Sequence, residues 1–269
     1  MRRIIATSCV AVGFALAACT PASEEVKDPQ AQCIKEIAEK NPLPHQEWDF
    51  NSVFGTYDQA TAKRGFQVYK EVCSACHSMN LLAYRHLSGI GFSEEQAKAI
   101  AASVQVTDGP NDQGEMFERP GLPSDKFHPP FPTEQAARAA NNGALPPDLS
   151  LMAKAREGGP DHIVAILTGY GEPSACLKMN EGMNFNKYFE AGGFQIGMPP
   201  PLSDGAVTYA DGTPANVPQM AHDVAYFLSW AAEPNLDRRH QIGVATILFL
   251  IVLTACFYAV YRKVWSDVH

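Results

Sequence analysis

Hydrophobic residues recur at helical spacing in two segments of this chain. In the first segment, Asp58 can cap a helix whose predicted buried face contains Gly65, Phe66, Tyr69, Val72 and Cys73. In the second, Asn216 can cap a helix that stops at Pro234. The apolar face of this second helix contains Met220, Val224, Phe227, Leu228 and Trp230. The pattern therefore predicts two amphipathic helices that bracket one domain.

The segment between these two helices is rich in glycine and proline. Prolines cluster near positions 129–132, 146–147 and 199–201. Such a composition predicts long loops rather than regular structure. Short helices are expected near Glu134 to Ala140 and His162 to Leu167, so the predicted fold class is mainly α.

The first residues have the layout of a secretory signal peptide. Arg2 and Arg3 precede a weakly apolar run from Ile4 to Ala18, which is too short to span a bilayer. We therefore assign residues 1–22 to a signal peptide. Cys19, at the end of a Leu-Ala-Ala-Cys sequence, is an alternative first residue of a lipidated protein.

An uncharged run near the other end predicts a transmembrane helix. Ile242 to Tyr261 covers about 30 Å at 1.5 Å per residue, which is the thickness of the hydrocarbon core. Arginine and lysine residues flank both sides, so charge alone does not decide the orientation. The signal peptide decides the orientation, because it exports the residues before the helix and leaves the tail from Arg262 to His269 in the cytoplasm. Residues 23–237 are then a periplasmic domain, and residues 238–269 its single-pass anchor in the bacterial inner membrane.

Charge is concentrated in the exported part. The whole chain carries a formal net charge of −8, but Thr20 to Asp237 contains 28 acidic and 15 basic residues. A nucleic-acid partner is not expected for such a surface. Two interpretations of the acidic domain stay open, namely simple solubility and electrostatic steering of a basic protein partner.

The residues with the clearest chemistry are Cys73, Cys76 and His77. They form a C-x-x-C-H motif, which is the attachment signature of a covalent c-type haem. The spacing places two thiols about one helical turn apart and an imidazole beside them. A zinc site would need a second pair of ligands at similar spacing. A thioredoxin-like redox pair would need a strand before the motif, whereas a helical pattern leads into it.

Simple electron transfer requires a sixth ligand to the iron, and Met198 is the best candidate. It stands between Ile196-Gly197 and three prolines, which hold an extended backbone. The competing candidates are Met179, Met183, His128, His162 and His222. A thioether ligand closes the coordination sphere, raises the potential and leaves no place for a substrate.

The remaining exported cysteines are Cys33 and Cys176. Of the seven cysteines, two fall in the signal region, two in the haem motif, and Cys256 in the anchor. An oxidising compartment makes a disulfide between Cys33 and Cys176 a reasonable hypothesis, although the sequence does not show whether they are close in space.

Several blocks in this chain resemble the cytochrome c1 family, the haem subunit of the cytochrome bc1 complex. The matching blocks are Arg64 to Tyr69 before the haem motif, Asp108 to Asn111 with Arg119 to Gly121, Arg138 to Ser150, Leu167 to Tyr170, and Gly197 to Leu202. They occur in the family's order, from about Phe50 to the C-terminal anchor. The Asn-Asn-Gly-Ala sequence at residues 141–144 is far more specific than C-x-x-C-H.

The resemblance implies a class I cytochrome c-like domain in a quinol:cytochrome c oxidoreductase. One covalent haem c would be attached at Cys73 and Cys76, with His77 and Met198 as axial ligands. Arg119 would be the partner of a haem propionate, for which a guanidinium offers a planar bidentate match. The haem would take one electron from the Rieske iron–sulfur protein and pass it to a soluble or anchored cytochrome c. Cytochrome b is a further expected partner, in a dimeric multi-subunit complex.

Two other function classes stay open at this point. One is a different membrane-anchored cytochrome c, such as an oxidase subunit or an electron shuttle. The other is a haem enzyme or gas sensor with an open iron site. No G-x-S-x-G elbow or phosphate loop occurs, so catalytic chemistry beyond haem redox has no support.

Overall fold

The computed structural model describes residues 28–268 and confirms the mainly α fold class. The predicted signal peptide and Cys19 lie outside the described residues. The helices are α1 (Pro29–Lys40), α2 (Gln59–Glu71), α3 (Glu94–Ala102), α4 (Glu134–Ala140), α5 (Met152–Ala155), α6 (Pro160–Thr168), α7 (Val217–Ala232) and α8 (Leu236–Val264). Two short antiparallel hairpins pair β1 (Gln105–Asp108) with β2 (Phe117–Pro120), and β3 (Asn184–Phe185) with β4 (Gln195–Ile196).

Both bracketing helices begin at the predicted caps. The Asp58 carboxylate accepts a hydrogen bond from the Thr61 amide at 2.8 Å, and α2 follows. The Asn216 side chain accepts from the Gln219 amide at 2.9 Å, and α7 follows. Each cap satisfies an amide that has no partner inside its helix. The predicted short helices are also present, as α4 and within α6.

Helices α2 and α7 cross at Gly65 with no room for a side chain. A Cβ atom on Gly65 would overlap the Asp223 carbonyl oxygen and lie 2.6 Å from the Phe227 Cβ. Beside this contact, the rings of Phe66 and Phe227 pack edge to face with centroids 5.6 Å apart. The missing Cβ therefore lets the two backbones approach, and the aromatic side chains fill the space on either side.

We expect Gly65→Ala to lower the free energy of unfolding by about 2 kcal/mol. Overpacking costs up to ~3 kcal/mol and the obstructing atom is backbone, while the gain in helix propensity offsets only about 1 kcal/mol. Equilibrium denaturation of the haem-loaded full chain in detergent measures the change. Gly243→Ala is the matched control, because Gly243 is also helical and a Cβ there meets nothing within 4 Å. A midpoint for Gly65→Ala at or above that of wild type would refute the tight crossing.

A buried ion pair joins the same two helices. The Arg64 guanidinium donates from Nε and Nη2 to the Asp223 carboxylate at 3.0 and 3.2 Å, and from Nη1 to Asp211 at 3.0 Å. Asp223 is fully buried. Because a buried carboxylate without a partner is costly, this bidentate pair fixes the register of α2 against α7.

Helix α8 contains the predicted transmembrane run. It has 29 residues and a mean hydropathy of 2.4 in its most apolar window, and none of that window is buried in the protein. Its apolar side chains face outward on all sides, which fits a membrane-spanning helix and not a core helix.

Helix α1 was not predicted from the sequence. It packs through Cys33 and Ile37 on Leu177 and Phe194, which together form a second small core. Cys33 and Cys176 form a disulfide there, so that hypothesis is confirmed. Helix α1 is thereby joined to the loop that leads into the β3–β4 hairpin.

Candidate functional site

The C-x-x-C-H motif follows directly on α2. Cys73–Ala75 form a short 3₁₀ turn after the helix ends. The amides of Cys76 and His77 both donate to the Cys73 carbonyl, at 3.1 and 2.9 Å. Cys73 and Cys76 are free of disulfides. The turn therefore presents two thiols and an imidazole within five consecutive residues, held by hydrogen bonds of the motif itself.

The imidazole of His77 is held by a residue distant in sequence. Its Nδ1 lies 2.8 Å from the Pro147 carbonyl oxygen, which can only accept, so Nδ1 carries the proton. The lone pair is then on Nε2, where it is available to a metal. Burial lowers the pKa of His77, against the opposing effects of the Pro147 carbonyl and Asp148, and so favours the neutral ligand form.

Asp148 fastens the segment that contains Pro147 to the segment that contains His77. Its carboxylate accepts from the Ser78 hydroxyl and the Asn80 amide, both at 2.8 Å, and from the Ser150 amide at 2.9 Å. Burial alone would raise the pKa of Asp148, but these hydrogen bonds lower it, so the group stays ionised. Asp148 lies in the family-like block of residues 138–150, but no local pattern in the sequence indicates this role.

Met198 lies two residues after β4, at the start of the proline run. Its carbonyl accepts a hydrogen bond from the Tyr170 hydroxyl at 3.1 Å. A Cβ on the preceding Gly197 would lie 3.1 Å from the Ala144 side chain, so the turn rests on the segment of residues 141–147. His77 contacts the same segment at Pro147. The structure thus brings the motif and Met198 to one short stretch of chain.

The competing ligand candidates occupy other surroundings. The Met183 sulfur lies 4.0 Å from a Cβ on Gly197, next to the Met198 turn. Met179 packs on the second core beside the disulfide. The His222 ring stacks on Trp48 with centroids 4.8 Å apart. His162 lies in α6, and His128 follows Phe127 of the main core. Met183 is therefore a competitor that lies close to the Met198 turn.

Arg119 lies in β2 and is paired with two carboxylates. Its Nε donates to Asp108 on the facing strand, while Nη1 and Nη2 donate to Asp125 at 2.6 and 3.1 Å. Its guanidinium is thus largely occupied. Arg156 differs, because the described residues offer it only the carbonyl of Ala155, at 3.0 Å. Arg138 is similar, because among the described residues it contacts only the carbonyl of Gly143, at 3.1 Å.

The fold and the site define a class of protein. The structure has the parts of a membrane-anchored c-type cytochrome. These are two crossing helices, a C-x-x-C-H turn with an oriented imidazole, and an apolar helix that fits a membrane.

Comparison with known proteins gives the family. The model of the cytochrome C1 family matches residues 48–268. Cytochrome c1 of Rhodospirillum rubrum is 49% identical over 242 residues, which cover 84% of this chain and 88% of that protein. The mitochondrial cytochrome c1 heme protein of Schizosaccharomyces pombe is 50% identical over 222 residues, covering 82% of this chain and 72% of the relative. A protein named cytochrome b/c1 from Bradyrhizobium diazoefficiens is 45% identical over 248 residues, which are 84% of this chain and 36% of that protein. The chain belongs to the cytochrome c1 family.

Family membership establishes the general function. The chain is a membrane-anchored electron-transfer subunit of the bc1 complex with haem c as its cofactor. Family membership also excludes the alternative that the chain is a different membrane-anchored cytochrome c, such as an oxidase subunit or an electron shuttle. Residues 28–47 lie before the matched region, so α1 and its Cys33 are outside the part that the family model covers, whereas the disulfide partner Cys176 is inside it.

Proposed function

We propose that Cys73 and Cys76 hold one covalent haem c, with His77 and Met198 as its axial ligands. The observation that carries this proposal is the hydrogen bond from His77 Nδ1 to Pro147, which leaves Nε2 free for iron. The free thiols of the turn and the nearby Met198 turn complete the set that a c-type haem requires. When bound, this group supplies a one-electron couple that cycles between ferrous and ferric iron.

The protein residues around the haem orient its ligands. Pro147 fixes the tautomer of His77, and Asp148 fixes the position of the Pro147 segment. Tyr170 holds the backbone of Met198, so the thioether is presented by a rigid turn. Because rigid ligands need little rearrangement when the iron changes oxidation state, this arrangement suits electron transfer.

A haem propionate needs a fixed cation, and several arginines of the described residues could supply it. Arg119 is the one that the sequence suggested, but a propionate would have to displace or share Asp108 and Asp125. Arg138 and Arg156 have no carboxylate partner among the described residues, and Arg138 begins the block of residues 138–150 that contains Pro147. We therefore propose Arg119 as the propionate partner that the family resemblance implies, with Arg138 and Arg156 as alternatives because neither has a carboxylate partner among the described residues.

The proposed path of the electron runs from the Rieske iron–sulfur protein to this haem and on to a cytochrome c. Cytochrome b is the proposed membrane partner, and the fused name cytochrome b/c1 of the Bradyrhizobium relative is consistent with that assembly. The acidic composition of the haem domain would steer a basic cytochrome c to it. We propose that the haem domain lies in the periplasm, that the tail after α8 lies in the cytoplasm, and that the assembly is dimeric.

Rapid mixing of the purified complex with quinol tests this path. We expect the haem to be reduced in the complete complex, and reoxidised when ferric cytochrome c is added. A complex that lacks only the Rieske subunit is the control, and in it quinol should leave the haem oxidised. Fast haem reduction without the Rieske subunit would overturn the proposed donor. Raising the salt concentration should slow only the reoxidation step, because steering of exposed charges is screened.

A further inference from the structure

The turn formed by Ser52, Val53, Phe54 and Gly55 presents two unprotected apolar side chains. Val53 is 72% exposed and Phe54 is 76% exposed, more than the 67% of Val264 in the membrane-spanning helix. Phe50, three residues before Val53, is buried in the main core at 5% exposure. The chain therefore buries one apolar residue of this segment and leaves the next two in the open.

The turn is closed by a hydrogen bond and packed against the residues before it. The Gly55 amide donates to the Ser52 carbonyl at 2.9 Å, which closes the turn. A Cβ on Gly55 would overlap the Asp49 carbonyl oxygen, so the turn is already packed against the preceding 3₁₀ turn (Asp49–Asn51). Val53 and Phe54 are at the tip of this fixed turn.

Hydrogen bonds attach the turn to the first residues of α8. The Gly55 carbonyl lies 2.8 Å from His240 Nδ1, and the Tyr57 amide donates to Asp237 at 3.1 Å. His240 precedes Ile242, the start of the uncharged run, by two residues, which is about 3 Å along a helix. The headgroup zone on each side of a bilayer is roughly 6 Å deep. The turn is therefore held at the depth of that zone.

The two ends of α8 differ in their aromatic residues. At its other end, Tyr261 and Trp265 are exposed and have ring centroids 6.3 Å apart, as expected for aromatic residues at a membrane interface. The stretch from Leu236 to Ile247 contains no aromatic residue. Phe54 supplies an aromatic side chain at this level from a different part of the chain.

A positive charge at the same depth as the turn also fits contact with lipid headgroups. Arg238 is exposed and forms no ion pair within residues 28–268, whereas its neighbour Arg239 is paired with Glu233 at 2.6 Å. An exposed cation beside exposed apolar residues matches the headgroup region, where a phosphate meets the guanidinium and acyl chains meet the apolar tip.

We propose that Val53 and Phe54 insert into the headgroup–acyl boundary of the bilayer and form a second membrane contact beside α8. The inference rests on α8 being the membrane anchor. Two membrane contacts at one end of the haem domain restrain its tilt more strongly than α8 alone would. The haem domain is then held at a defined orientation relative to its membrane partners.

Photo-crosslinking in the assembled complex tests the occupant of this turn. Phe54→benzoylphenylalanine is introduced in the full chain, and the complex is reconstituted in nanodiscs of phosphatidylcholine and phosphatidylglycerol. Phe117→benzoylphenylalanine is the control, since Phe117 is also an exposed aromatic residue but lies in the β1–β2 hairpin. We expect a phospholipid adduct at position 54 and none at position 117. An adduct to another protein subunit, equal adducts at both positions, or no adduct at position 54 would each overturn the proposal.

A second measurement addresses the consequence for orientation. In oriented membrane multilayers, electron paramagnetic resonance of the ferric haem gives the angle of its plane to the membrane. The double variant Val53→Ser and Phe54→Ser should broaden or shift this angle, and an unchanged angle would contradict the restraint. The haem spectrum and reduction by quinol should equal those of wild type, so a failure of this inference is distinguishable from a failure of the proposed electron path.

Discussion

Replacing Met198 by leucine is expected to lower the reduction potential of the haem by on the order of 0.2 V and to let the reduced iron bind carbon monoxide. Axial ligands set haem potentials over a range of about 0.8 V, and a thioether stabilises the ferrous state. Leucine keeps the volume of the side chain but has no donor atom, so packing of the turn should survive while the coordination position opens. Redox titration and difference spectra with carbon monoxide measure the two effects.

Met183→Leu is the matched control for this prediction. The sulfur of Met183 lies close to the Gly197–Met198 turn, so the variant makes the same chemical change in the same surroundings. Its potential should stay at the wild-type value, and its reduced form should not bind carbon monoxide. If Met183→Leu alone opens the iron site, Met183 is the ligand. If wild type binds carbon monoxide as readily as Met198→Leu, the site is open and the haem enzyme or sensor interpretation gains support.

Loss of the disulfide between Cys33 and Cys176 is expected to lower the free energy of unfolding by about 3 kcal/mol. The cross-link spans a sequence separation of 143 residues and therefore restricts the unfolded chain strongly. Chain-entropy estimates for so long a loop reach about 5 kcal/mol, while measured effects are commonly ~2–4 kcal/mol. The double variant Cys33→Ser and Cys176→Ser should show this loss in equilibrium denaturation of the full chain in detergent.

The same variant should also expose α1 to protease. Helix α1 buries Cys33 and Ile37 in the second core but presents Lys35 with a side chain that is 78% exposed. Without the cross-link this small apolar contact holds the helix weakly, so trypsin should cleave after Lys35 or Lys40 faster than in wild type. Cys256→Ser is the control, because Cys256 is a free cysteine in α8. Equal stability and equal cleavage in the double variant and this control would contradict a stabilising role of the disulfide.

Local sequence patterns predicted the elements whose structure depends on neighbouring residues. The caps at Asp58 and Asn216, the helix pair and the apolar run in α8 all follow from contacts within a few residues or from a simple periodicity. Helix α1 was missed because most of its residues are exposed and polar, and Ile34 and Ile37 are its only large aliphatic side chains. It is stabilised by the disulfide and by the second core, neither of which is a local feature.

Some features of the candidate site were likewise predicted by the local sequence, and others depend on the fold. The motif at Cys73, Cys76 and His77 can be recognised in the sequence because covalent haem attachment requires a fixed local spacing. The choice of Met198 also came from its neighbours, the glycine before it and the prolines after it. By contrast, the carboxylate partners of Arg119 depend on how the loops fold.

The sequence by itself therefore determined the class of cofactor, its attachment motif, the bracketing helices and the membrane anchor of this protein. Only the tertiary structure decided which carbonyl orients His77, which loop α1 supports and where the Val53–Phe54 tip stands relative to α8. These contacts join residues 70, 143 and 185 positions apart, in the His77–Pro147, Cys33–Cys176 and Gly55–His240 pairs respectively. The physical reason is that such contacts depend on the path of long glycine- and proline-rich loops, which carry no periodic signal, and are fixed only when the whole core is packed.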